Sequence, residues 1–267
     1  MKQSVYYRNK VIWITGASSG IGENLAKQLA QFGAHLILSA RNQQKLEALK
    51  AALTNPEKHL VLPLDLENLN ATASYTEQIL AQFGRLDILI NNGGVSQRAS
   101  ANETSMEVNR QLMEVNFFGN IALAKAVLPI FRAQQSGQYL VVSSIAGKFG
   151  FHLRSIYSAS KAALVGYYES LAMEEAPNGI KVTLAYPGKI NTPISKSALT
   201  ASGKAHGAMD RNQASGMPVD ICVAQMLSAL SQEKREVLIG GKELLAVYMK
   251  RFLPRLFWKI IPKQSAT

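Results

Sequence analysis

Only one cysteine, Cys222, stands in the 267 residues, which excludes an intrachain disulfide and suits a reducing compartment. The four histidines, His35, His59, His152 and His206, have no cysteine or second histidine at ligand spacing, so no metal site is expected. No run reaches the roughly 20 apolar residues of a membrane-spanning helix, and the first ten residues, MKQSVYYRNK, lack the apolar stretch of a secretory signal. Charged residues are sparse at 18%, but with 47% hydrophobic residues the chain can offset its ordering entropy, which excludes wholesale disorder. Acids are scarcest: 18 Asp and Glu face 29 Lys and Arg, a net charge of +11. That excess favours phosphorylated cofactors or acidic lipid surfaces. Nucleic acid is not expected, because no base-reading module accompanies the charge. The expected location is the cytoplasm, either free or peripheral at a membrane surface.

Short apolar runs recur at 11–15, 35–39, 59–64, 86–91, 138–143 and 180–186, and read as buried strands. Between most of them lie stretches with helical apolar spacing, at 21–32, 46–53 and 106–131. Continuous apolar strands alternating with helices imply a parallel sheet covered on both faces. The expected fold is a single doubly wound Rossmann-type α/β domain over residues 1–241. Residues 189–218, rich in Ser, Ala, Gly and Lys, interrupt the rhythm and are either a mobile substrate lid or plain surface. A helix at 219–230 and a short strand at 237–239 close the sheet.

The first strand runs directly into Gly16-Ala17-Ser18-Ser19-Gly20-Ile21-Gly22, where a helix starts. A strand, a glycine turn and a helix N-terminus present bare backbone and unpaired N–H groups to a pyrophosphate, the arrangement of a dinucleotide site. At the end of the second strand, Ser39-Ala40-Arg41-Asn42 contains no acid to hold a ribose 2′-hydroxyl. Arg41 can pair with a 2′-phosphate and Ser39 can donate to it, so NADP(H) is expected in preference to NAD(H). Asp65, after the third strand, can accept from an adenine amino group.

Tyr157-Ser158-Ala159-Ser160-Lys161 opens a helical stretch, and a spacing of four stacks Tyr157 and Lys161 on one face. An ammonium about 6 Å from the phenol, at an effective dielectric near 20, stabilises phenolate by roughly 3 kcal/mol. That lowers the phenol towards the range useful for acid–base work. The spacing also occurs at Tyr6 and Lys10, so context has to separate the two pairs. Tyr157 lies thirteen residues after Ser144, which follows the strand QYLVVS, and the two hydroxyls can therefore converge at the carboxyl edge of a parallel sheet, where ligands bind. Phe149, Phe151, His152 and Leu153, between them, line a pocket or belong to the core.

With these motifs in order, the chain from about Lys10 to Gly241 resembles the short-chain dehydrogenase/reductase family. TGASSGIG is similar to its cofactor turn, Asn91-Asn92-Gly93-Gly94 to its NNAG motif, Asn116 in VNFFG to its active-site asparagine, and VSSIAG with YSASK to its catalytic pair. The resemblance implies hydride transfer between a nicotinamide and a carbonyl or alcohol carbon. In that scheme Ser144 holds the substrate oxygen, Tyr157 exchanges its proton, Lys161 also binds the ribose, and Asn116 supports a proton-carrying water chain. Cofactor contacts are implied for Leu66, Asn92, Gly93, Pro187, Gly188, Ile190 and Thr192. Glycine replaces the family's alanine at 93, which would loosen the adenine side, and Ser19 stands where some NADP-preferring relatives have a basic residue. NNGGVSQR and the C-terminal tail resemble a branch with lipophilic, steroid- or retinoid-type substrates. A homo-oligomer, dimer or tetramer, is implied. The alternative is a non-catalytic NADP(H)-sensing or membrane-bound binding protein.

The tail, 242–267, holds Lys242, Lys250, Arg251, Arg255, Lys259 and Lys263 against the single acid Glu243. Phe252, Leu256 and Ile260 run beside the basic residues, with Leu253, Phe257, Trp258 and Ile261 adding bulk, and Pro254 suits the first turn of a second helix. Such a segment lies in a lipid interface or packs on a neighbouring subunit.

Overall fold

A computed structural model describes residues 2–69 and 72–264; Met1, residues 70–71 and the end of the tail, 265–267, lie outside the described residues. Seven parallel strands form one sheet in the order β3-β2-β1-β4-β5-β6-β7: β1 Val11–Thr15, β2 His35–Ser39, β3 Leu60–Val61, β4 Ile88–Asn91, β5 Gly137–Val142, β6 Ile180–Pro187 and β7 Glu236–Ile239. The helices are α1 Lys2–Tyr7, α2 Gly20–Gln31, α3 Gln43–Ala52, α4 Thr72–Phe83, α5 Met106–Met113, α6 Gly119–Gln134, α7 Ser155–Glu174, α8 Arg211–Ala214, α9 Val219–Ser231, α10 Leu245–Phe252 and α11 Pro254–Ile260. This is the single Rossmann-like domain expected from the alternation of apolar runs.

Strand periodicity divides the core. In β1, Ile12 and Ile14 face a layer with α2 and α9, while Val11 and Trp13 face the opposite layer with α6 and α7. All five residues of β1 are buried, which is why the run shows no polar alternation. The chain winds from β1 to β3 on one side and then returns to place β4 against the other side of β1. The crevice beyond their carboxyl ends is therefore the point where the winding reverses.

β3 is shorter than the expected 59–64, because only Leu60 and Val61 pair as a strand; Leu62 and Leu64 still donate from their backbone N–H groups to Leu38 and Ala40. The predicted helix at 106–131 is broken by a wide π turn at Glu114–Phe118 between α5 and α6. By length and composition, Met106–Gln134 could cross a membrane, contrary to the sequence expectation. It instead packs on the sheet and buries the polar side chains of Asn116 and Asn120. Residues 189–218 carry only a single 3₁₀ turn, the four-residue α8 and isolated bridges, among them Ile190 to Met217 and Gln97 to Leu199.

Candidate active site

The glycine turn owes its shape to close packing on both sides. Gly16 and Gly20 take left-handed backbone, with φ of 65° and 58°. A Cβ on Gly22 would lie 2.2 Å from the Gly16 carbonyl oxygen, so α2 can pack this tightly on the turn only with glycine there. Gly16 in turn abuts Gly93 of the loop after β4. Thr15 ties the two together: its hydroxyl accepts from the backbone N–H groups of Asn92 at 3.0 Å and Gly93 at 2.9 Å, while the Asn92 amide donates to the Thr15 carbonyl at 3.0 Å. The Ser19 side chain makes no capping hydrogen bond, so the first turn of α2, Ile21 included, keeps its N-terminus open at the crevice. Ser18 and Ser19 form the tip of the turn, and Gly20 faces Thr192. An uncapped helix N-terminus beside a glycine turn fits a dinucleotide pyrophosphate.

At the end of β2 one expectation fails. The Ser39 hydroxyl is fully buried, donates to the Leu62 carbonyl at 2.6 Å and accepts from the Trp13 indole at 2.8 Å. It is committed to the β1–β2–β3 packing and cannot donate to a cofactor phosphate. Arg41 is exposed at the crevice side of β2. Asp65 accepts from the Glu67 backbone at 3.1 Å. Leu66 is buried, with its Cδ1 2.5 Å from where a Gly93 Cβ would lie. Leu66 thus fills the space that an alanine methyl would take, and the loosening expected from Gly93 is offset by packing.

After β5 the two serines part. Ser143 is buried and donates to the Lys161 carbonyl at 3.0 Å, whereas Ser144 lines an opening, accepts from the Ala146 N–H at 3.1 Å and donates to the Pro187 carbonyl at 3.3 Å. Tyr157 and Lys161, both buried, project from α7, with the Lys161 Nζ 5.9 Å from the Tyr157 ring centre and donating to the Val142 carbonyl at 2.9 Å. Ser144 is also near enough to the Tyr157 phenol to oppose the rise in its pKa. Asn116, in the π turn, holds Val95 through both backbone groups at 2.8 and 2.9 Å and donates to Ser160 at 3.1 Å, bracing the β4 loop against α7. Gln97, unmarked in the sequence, accepts from the N–H groups of Ile156 and Tyr157 and so fixes the start of α7.

The electrostatics differ from the simple expectation. Burial raises the Tyr157 phenol above its ordinary 10, opposed by the Arg154 guanidinium and the Ser144 hydroxyl, and burial pushes Lys161 down to about 8. Desolvation is the leading cause for both groups, because each favours its neutral form in a low-dielectric interior. In the protein alone the phenol is thus protonated at neutral pH, and the expected lowering by Lys161 is not present.

Pro187 pairs with Ile239 at the end of β6, and the Glu243 carboxylate caps this edge by accepting from the Lys189 N–H at 2.9 Å, close against Gly188. Burial pushes the Glu243 carboxyl up, but the backbone N–H groups of Lys189, Gly241 and Glu243 itself outweigh it and hold the pKa below the usual range. Ile190 and Thr192, within the 189–218 segment, are buried. The opening beside Ser144 is lined by Phe151, His152, Arg154, Lys189, Asp210 and Gln213 among others. Phe149 instead packs in the core, 5.3 Å from Phe257, and Leu153 is exposed.

Residues 10–203 match the short chain dehydrogenase family, and the chain belongs to it. It is an oxidoreductase of a family that uses a nicotinamide cofactor and small-molecule substrates. It is 38% identical over 269 residues to a dehydrogenase/reductase SDR family protein 7-like of Anopheles gambiae, covering 97% of this chain and 84% of that one. It is 36% identical over 271 residues to dehydrogenase/reductase SDR family member 7B of Mus musculus, covering 99% and 84%. Among solved structures, a short-chain dehydrogenase from Streptomyces avermitilis superposes with a TM-score of 0.80 at 29% identity, covering 96% of this chain and 98% of that one. Levodione reductase superposes with a TM-score of 0.79 at 26% identity, covering 90% and 99%.

Proposed function

We propose that the protein reduces a carbonyl with NADP(H), or oxidises the matching secondary alcohol, on a lipophilic substrate, with Tyr157 as general acid and base. The observation that carries this reading is that the Ser144 hydroxyl, which lines an opening on the carboxyl edge of the sheet, stands against the buried Tyr157 phenol, with the Lys161 Nζ 5.9 Å from the centre of that ring. A bound nicotinamide supplies the hydride donor or acceptor. Ser144 holds the substrate oxygen, and the neutral phenol gives that oxygen its proton as the carbonyl carbon takes a hydride, leaving an alcohol. Lys161, anchored on Val142, holds the ribose and replenishes the phenol, while Asn116 keeps the β4 loop and α7 in register for proton delivery. The glycine turn holds the pyrophosphate; Asp65, Leu66, Asn92 and Gly93 border the adenosine side; Pro187, Gly188, Ile190 and Thr192 border the nicotinamide. Arg41 selects the 2′-phosphate. Fluorescence titration of NADPH and NADH, followed by absorbance assays with lipophilic ketones and alcohols, tests this: tighter NADPH binding and ketone-dependent oxidation are expected. Dinucleotide binding without turnover of any carbonyl or alcohol would favour a non-catalytic sensor.

Residues 1–241 form the catalytic domain in this reading, with 189–218 as its substrate lid, and 242–264 dock it on an anionic membrane surface. The supporting observation is that, among the described residues, Phe257 alone of the tail's large apolar residues is fully buried, with Val247, Met249 and Ile261 half-buried, while Tyr248 and Phe252 on α10, Leu253 between the helices, and Leu256 and Trp258 on α11 are exposed beside Lys250, Arg251, Arg255 and Lys259. Exposed Met106, Phe118 and Met173 on the α5–α7 side suit a homo-oligomer that leaves the tail free. Flotation of the full chain with phosphatidylcholine vesicles, with and without phosphatidylserine, is expected to show binding to the acidic vesicles that F252S/W258S loses. Equal flotation of both proteins, or dissociation of the oligomer by the double substitution, would replace lipid with a neighbouring subunit.

A further inference from the structure

The opening beside Ser144 contains more positive charge than its one acid can balance. Asp210, at the start of α8, is buried and carries an ion pair with Arg98 and a second with Arg154 at 3.2 Å. The side chains of Arg98 and Asp210 are 4% and 3% exposed, and that of Arg154 is 22% exposed. Arg98 Nε and Nη1 and Arg154 Nε are buried without a hydrogen-bond partner among the described residues. Burial, and after it the neighbouring Arg154 guanidinium, push Arg98 down to about 10. Lys189 adds a further cation to the lining, and Asp210 is the only acid there among the described residues.

Two charges of one sign in a desolvated site, sharing a single counter-charge, leave a demand that a second anion meets. Guanidinium groups also present a planar fork suited to carboxylate or phosphate. Arg154 is well placed to use it. It immediately precedes α7, three residues before Tyr157, lines the same opening as Ser144, and is close enough to act on the Tyr157 phenol electrostatically.

We propose that Arg154, backed by Arg98 and Asp210, forms an anion subsite, so that the substrate carries a carboxylate or phosphate group as well as its reacting carbonyl. The inference rests on the redox reading of Ser144 and Tyr157 and adds a charged anchor to a pocket whose apolar wall includes Ile145 and Phe151. Binding of the anion places the carbonyl relative to α7, because the anchor and Tyr157 are borne on the start of one helix. Arg154 acts here as a specificity residue, and Asp210 sets the strength of the anchor by competing with the ligand.

Two measurements test it on the full chain with saturating NADPH. In the first, kcat/KM is compared for a medium-chain keto acid and its methyl ester. The acid is expected to be preferred by about tenfold or more, R154Q to collapse that ratio, and R154K to retain part of it. Equal rates for acid and ester in the unmodified protein, or an unchanged ratio in R154Q, would overturn the subsite. The second needs no turnover: the rise in melting temperature is measured with octanoate, octyl phosphate and 1-octanol. Stabilisation by either anion but not by the alcohol, lost in R154Q and strengthened in D210N, supports the subsite, and the stronger anion names the group. Equal effects of all three compounds, or anion effects that survive in R154Q, would refute it. If the melting shifts behave as expected while no carbonyl is reduced, the subsite stands and the redox reading fails.

Discussion

Tyr6 with Lys10 and Tyr157 with Lys161 share one spacing, yet the sheet separates their chemistry. The first pair lies at the amino edge, where the Lys10 Nζ sits 4.1 Å over the Tyr6 ring and the phenol donates to Gln138 at 2.7 Å. There the cation is engaged with the ring face, the hydroxyl with β5, and burial raises the phenol to about 12. The second pair lies at the carboxyl edge, where Lys161 is drawn off its tyrosine onto Val142 and the phenol meets Ser144 beside an opening. A Tyr-Lys spacing is therefore common structural material. It becomes a candidate for catalysis where the strands' carboxyl ends bring the pair behind a hydroxyl that lines an entrance, as Ser144 does.

Breaking the second pair should cost far more activity than breaking the first. K161M is expected to lower kcat/KM by about a hundredfold or more and to weaken dinucleotide binding, whereas K10M is expected to change stability and leave steady-state rates intact. Next in size is the packing that builds the carboxyl edge. G22A places a methyl group against the Gly16 carbonyl, so a loss of about 3 kcal/mol in denaturant unfolding is expected, with dinucleotide affinity falling in parallel. The cofactor preference follows: R41A should weaken NADPH by about tenfold in fluorescence titrations and leave NADH unchanged. Retained NADPH affinity would remove Arg41 from the site.

The smallest effect concerns the far end of the same edge. Glu243 has a folded pKa below its unfolded value, so its contribution is full above the unfolded carboxyl's pKa of about 4.3 and is lost as pH falls through the folded value. E243Q should cost about 1 kcal/mol at pH 7 in chemical denaturation, discounted for its partial exposure, and the difference should close in acid. A constant difference across pH would assign the effect to packing alone.

The strands were legible because β1, β4, β5 and, apart from Lys181, β6 are buried on both faces and read as predominantly apolar runs. The glycine turn, Ser144, Tyr157 and Lys161 were legible because backbone conformation and helical spacing leave local marks. What escaped depends on contacts distant in sequence. Ser39 looked available until Trp13 and Leu62 claimed its hydroxyl across neighbouring strands. Arg98 and Asp210 lie 112 positions apart and meet only because the 189–218 segment folds back over the β4 loop. Thr15 and Gln97 bind backbone groups, for which no residue pattern is required. The lysine's effect on the phenol was misjudged because the attraction was counted without the cost of desolvating two charged forms, and both groups are buried.

The most direct test places Y157F beside Y6F in single-turnover redox assays, each shown to be folded and loaded with dinucleotide. The central claim predicts a fall of about a thousandfold for Y157F, and for Y6F a rate equal to the unmodified protein's with a loss of about 1 kcal/mol in stability. An undiminished rate in Y157F would contradict it.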